Sequence, residues 1–241
     1  MLEDFKAFLQ TDIQLIFRNN RPQQYFYQVT MIFVCTFILL FIAWQYNLVF
    51  KEPLLVYMSV FGTGALLYIF GMFAFSFWST FFPVFYTNLI NWQRIVLYKY
   101  LFFISSIFLL TGISVLLAAM ISTKLIPFFF IGGLWNISIS TMLILFFASH
   151  NIDRCELSKS TLLNFEAWGY MESMFLILTF YLPPSIFLLL KTFIPIDTIV
   201  YSDLVLCCII LCFHPLIIRR ISNNMNKRKY RILDLFRNGE N

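Results

Sequence analysis

Six runs of about 20 apolar residues fill most of this chain, the length an α-helix needs to cross a hydrocarbon layer about 30 Å thick. They are read at Tyr25 to Tyr46, Leu54 to Trp78, Tyr100 to Met120, Leu125 to Ser149, Ser173 to Leu190 and Ile199 to Ile218. The runs are apolar on every side. They lack the strict alternation of a membrane β-barrel strand, so the expected class is all-α: a polytopic membrane protein of six transmembrane helices with an N-terminal interfacial amphipathic helix. Composition agrees: 12% of the residues are charged and 60% hydrophobic, against a charged fraction of about 25% in soluble domains.

Lysine and arginine set the expected orientation, because basic residues accumulate in short loops on the cytoplasmic side. With the N-terminus placed there, the same side receives Lys6, Arg18, Arg21, Arg94, Lys99, Arg154, Lys159 and the whole basic run from Arg219 to Arg237. Only Lys51, Lys124 and Lys191 fall on the other side. Both termini are therefore expected in the cytoplasm, with the chain multi-pass in the cytoplasmic (inner) membrane. The net charge of +5 is a topology signal, with membrane lipids as secondary contacts and no nucleic-acid partner expected.

The chain divides into a leader (1–24), a six-helix transmembrane domain (25–218) and a basic cytoplasmic tail (219–241). In the leader, Phe5, Phe8, Leu9, Ile13, Ile16 and Phe17 recur at helical spacing, while Asp4, Lys6, Gln10, Asp12 and Gln14 fall mostly between them. This is the pattern of a helix lying in the membrane interface, its polar side to water. The leader has no apolar core ending in a small-residue cleavage site, so it does not read as a cleaved signal peptide.

Intramembrane charges mark sites of chemistry, and the first four spans as drawn contain none. Glu172, Asp203, His150 and His214 fall at span ends, with His214 read as a span-end histidine beside the kink at Pro215. The spans carry no catalytic pattern, and the cysteines have neither disulfide nor metal-ligand spacing, so no catalytic, cofactor or metal residues are assigned. Gly62, Gly64, Gly71, Gly132 and Gly133 suit close helix packing, and Pro183 with Pro184 forms a candidate helix break.

Two long loops stand out. Ser79 to Lys99 reads STFFPVFYTNLINWQRIVLYK and His150 to Met171 reads HNIDRCELSKSTLLNFEAWGYM, each joining aromatic residues to a short helix-prone stretch with two basic residues. Aromatic anchors with a charged rim are what a partner protein grips, although a solvated loop with membrane anchors has much the same composition.

The order of amphipathic leader, six spans and two loops after the second and fourth spans resembles the permease subunit of ABC-2 type exporters, and more closely an uncharacterised ABC-2-related family of bacterial membrane proteins. The matching segments are IFRNNRP at Ile16 to Pro22, TNLINWQRIVLYKY at Thr87 to Tyr100, RCELSKSTLLNFE at Arg154 to Glu166 and KRKYRILDLFR at Lys227 to Arg237. The sequence departs from that pattern where Ser79 to Val84 carries no acid and where Ala167 stands in place of a glycine. Many relatives have two six-helix blocks, of which this chain matches the later. The resemblance implies an exporter permease paired with a second copy or another permease and driven by a separate ABC-type ATPase subunit. It implies ATPase contacts at Asn91, Trp92, Arg94, Ser158, Lys159, Asn164 and Glu166. This chain has no phosphate-binding loop motif, so it is expected to be no enzyme and to bind no cofactor, with ATP held by the partner. The alternative is a non-transporting membrane scaffold or assembly factor whose loops recruit a cytoplasmic partner.

Overall fold

The computed structural model describes residues 2–45, 52–78, 91–150, 157, 185–186, 189, 193 and 196–238, and among them seven α-helices are delimited and no strand occurs. They are α1 (Leu2–Arg18), α2 (Asn20–Gln45), α3 (Glu52–Met72), α4 (Trp92–Ile121), α5 (Ile126–Trp135), α6 (Thr141–Ala148) and α7 (Ile196–Asn238). A π-helical turn, Asn136–Ser140, joins α5 to α6.

Five stretches are long and apolar enough to cross a membrane: Asn20–Ile42, Leu54–Met72, Trp92–Ile121, Thr123–Ala148 and Tyr201–Tyr230. The span expected from Ser173 to Leu190, with Pro183 and Pro184, lies almost wholly outside the described residues. The other boundaries shift. The third span begins at Trp92 rather than Tyr100, because Asn91 caps it: its backbone is extended and its side chain accepts a hydrogen bond from the Gln93 N–H at 2.9 Å. The second stops being α-helical at Met72, and the chain turns through Phe73 to Phe75 into a 3₁₀ turn at Ser76–Trp78. The first helix ends at Arg18, and α7 continues through Pro215 to Asn238.

α3 and the α5–α6 span form the interior, each with 67% of its spanning window buried, against 22% for α4 and for α7. Small residues allow this closeness. A β-carbon on Gly132 would stand 2.7 Å from the Ser59 carbonyl carbon, and one on Gly64 would stand 2.6 Å from both Asn136 and Tyr68. The outer helices present bare apolar surface, including Met31 on α2, Leu116 and Met120 on α4, and Tyr201 and Leu216 on α7. Such surfaces are stable in hydrocarbon and costly in water, so the protein belongs in a membrane.

Candidate functional site

Asp12 of the leader does not face outward. Phe8, Leu15 and Ile16 are buried against the bundle, and Asp12 falls on the same face, one turn from Phe8 and from Leu15 and Ile16; it is 4% exposed. Asp12, expected on the polar side, is thus the polar centre of an apolar stripe, whereas Ile13 and Phe17, expected within the apolar stripe, are exposed.

Two residues meet Asp12. Lys99, on the buried face of α4, places Nζ 2.7 Å from Oδ1 and 2.8 Å from Oδ2, and Trp78 donates its indole N–H to Oδ1 at 2.7 Å. The Lys99 ammonium also lies 4.6 Å from the Trp78 ring centroid and 5.4 Å from that of Phe8, and Phe8 packs on Trp78. An ion pair in such surroundings survives by saturation: the carboxylate accepts three hydrogen bonds from two donor groups, and the ammonium has two oxygens and two aromatic faces. Beside it a cavity of about 20 Å³, lined in part by Leu15, Phe70, Phe77 and Phe103, has room for one water. In the sequence, Lys99 reads as the last residue of the loop before the third span. Because α4 starts eight residues earlier than expected, it is instead a buried charge in a membrane helix.

Beyond this clamp of Asp12, Lys99 and Trp78, a second polar cluster lies in the interior. Asn136, fully buried at the π-turn, donates to the Val60 carbonyl at 2.7 Å and to Thr63 Oγ1 at 2.9 Å, and accepts from Tyr68 at 2.7 Å. The Tyr68 hydroxyl is also 3.1 Å from Ser140 Oγ, and Thr141 Oγ1 donates to the Asn136 carbonyl at 2.7 Å. Such a turn widens the helix by one residue per turn and turns backbone carbonyls aside. One of them is used: His214 Nε2 donates to the Ser138 carbonyl at 2.8 Å, which leaves Nδ1 of the neutral ring to accept from Tyr100 at 2.5 Å. His214 is therefore a buried link between α7, α4 and the π-turn rather than a span-end histidine. Neighbouring residues of α4, Lys99 and Tyr100, reach the leader on one side and α7 on the other.

The expected contact residues divide. Asn91 caps α4, Trp92 is half-buried against the main core, and Arg94 is exposed one turn before Tyr98. Ser158, Lys159, Asn164 and Glu166 lie outside the described residues. Their neighbour Leu157 is buried, and its carbonyl accepts from the backbone N–H of Arg21 at 3.1 Å. Arg21 is in the first turn of α2, where N–H groups have no partner within the helix, so the start of α2 is free to bind a loop. Sequence reasoning missed the clamp of Asp12, Lys99 and Trp78, and it missed Asn136 and His214 as buried polar residues that meet at the π-turn. One signal was present: Asn136, Ser138, Ser140 and Thr141 crowd an otherwise apolar span.

Comparison with known proteins places the chain in one family: the model described as a family of unknown function (DUF5687) matches residues 4–239, and the chain belongs to that family. No curated protein and no solved structure matches it.

Proposed function

We propose that this chain is the membrane-spanning permease subunit of an ATP-driven, ABC-2-like exporter in a bacterial inner membrane, energised by a separate ABC-type ATPase subunit and paired with a second permease. In this reading it has six spans with both termini in the cytoplasm, and the ATPase engages the loops that follow the second and fourth spans. One observation carries the reading: the leader is bonded to both flanks of the first loop, and the start of α2 to the second loop. Trp78 and Lys99 bracket the first loop and share the carboxylate of Asp12, and Arg21, just past the leader, holds Leu157 in the second. A push on either loop by a closing ATPase is passed to the leader and to α2. Through Tyr100 and His214 it also reaches the π-turn in the interior.

In this account Arg94 is the exposed residue that contacts the ATPase, while Trp92 anchors the start of α4 at the membrane surface. The competing scaffold reading needs a recruited partner but no ATP turnover. Isolation of the chain from native membranes in mild detergent separates the two. The export account predicts recovery with a nucleotide-binding protein of the ABC type; recovery with other partners and no such protein supports the scaffold.

A further inference from the structure

A second opening, which shares no lining residue with the cavity beside the Asp12 clamp, has a different chemistry. It lies between the end of α6 and one face of α7 and holds about 480 Å³, within the range of small-molecule sites. Its polar wall is Arg219, Arg220, Asn223, Asn224 and Lys227 with His150 opposite; Phe146 and Leu216 form its apolar side. On α7 the lining positions recur at three and four residues and so share one face.

The wall is built and held in place. Asn224 donates to His150 Nε2 at 2.9 Å, and Arg228 reaches the carbonyls of Ser149 and His150 at 3.3 to 3.4 Å, fixing α7 against the end of the fourth span. These contacts leave three cations unneutralised. Arg219, Arg220 and Lys227 make no hydrogen bond or ion pair among the described residues, and no Asp or Glu occurs between Asp203 and Asp234. Toward the N-terminus of α7 the basic mouth runs directly into apolar surface, where Ile209, Phe213 and Leu216 are 51%, 53% and 62% exposed.

An anionic head with fatty tails matches both halves of this surface. We propose that the opening binds the headgroup of an acidic phospholipid, its phosphodiester between Arg219 and Arg220 and its acyl chains along Phe213 and Leu216. A soluble phosphate shares the head chemistry but uses none of the apolar strip, which is why the lipid is the occupant. The proposal does not depend on the export reading.

The test uses the full chain in phosphatidylcholine nanodiscs with graded phosphatidylglycerol, reading bound lipid by native mass spectrometry and stability by thermal melting. Phosphatidylglycerol is expected to bind selectively and raise the melting temperature, with millimolar inorganic phosphate failing to displace it. Arg219→Gln with Arg220→Gln should weaken that binding at least about tenfold, and Lys227→Gln alone about fivefold. The charge-matched pair Lys6→Gln with Lys229→Gln, outside the opening, should change it less than twofold. Equal losses in both pairs would reduce the effect to diffuse surface attraction and overturn the site. Unchanged binding in the Arg219/Arg220 variant would do so as well, or in Lys227→Gln should the double variant not fold. Displacement by inorganic phosphate would overturn the lipid as occupant.

Discussion

The ammonium of Lys99 lies 2.7 Å from Oδ1 of Asp12, 87 positions earlier in the chain, and both residues are buried. A contact of this kind is expensive to assemble and more expensive to break. Removing one partner strands a charge and costs about 3–5 kcal/mol, whereas replacing both with apolar side chains of similar size is close to neutral. Asp12→Ala and Lys99→Ala should each lower stability by that amount, while Asp12→Leu with Lys99→Met recovers most of the loss. Thermal melting of the four proteins in one detergent checks the cycle. Equal and additive losses would show that the pair is not coupled.

Gly132 and Gly112 offer a second comparison. A methyl at Gly132 meets the Ser59 backbone at 2.7 and 2.9 Å, and backbone cannot move aside as a side chain can; nothing lies within 4 Å of a methyl at Gly112. Gly132→Ala should cost about 1–3 kcal/mol through forced separation of α3 and α5. Gly112→Ala should be neutral or slightly stabilising, since alanine is the better helix former. Melting temperatures of the two variants decide it.

Asn136 donates to Val60 and Thr63 and accepts from Tyr68, so its truncation strips a hydrogen bond from each of three buried groups on α3. Asn136→Ala should destabilise by about 1–3 kcal/mol. The companion Tyr68→Phe removes one donor and should cost less. Amide hydrogen exchange should show the loss centred on the π-turn and on the neighbouring part of α3.

Arg94 is exposed in the first turn of α4, next to the loop proposed above to meet an ATPase. Arg94→Ala should weaken association with that subunit by about tenfold, about 1.4 kcal/mol, with expression and insertion unchanged. Titration of the ATPase onto the variant in nanodiscs gives the number. Parental affinity would remove Arg94 from the interface.

The helical class and five of the spans could be read from local sequence, because hydrophobic length is a local property and the bilayer sets its scale. The clamp could not. Asp12 reads as an ordinary polar position until α1 is rotated so that Phe8, Leu15 and Ile16 face inward. Lys99 reads as a topology-setting loop charge until the Asn91 cap extends α4 over it. Each residue is unremarkable alone, and their meeting depends on how α1 docks, which no local pattern encodes. His214 is hard to read for a related reason: beside Pro215 it looks like a residue at a span end, whereas α7 continues as a helix through Pro215 and the ring meets Ser138. The π-turn had a visible cue in its polar residues, although not one that identifies their partners.

The central claim is that the Asp12 clamp carries motion between the loop and the bundle, beyond holding them together. ATP turnover by the assembled complex in nanodiscs tests it, comparing the parent with the Asp12→Leu, Lys99→Met protein, which should stay folded but lacks the shared carboxylate. The account predicts that the variant assembles with the ATPase yet turns over ATP at least about tenfold more slowly, a loss of about 1.4 kcal/mol in the coupled step. Turnover at the parental rate by the assembled variant would contradict it and leave the clamp a purely structural contact.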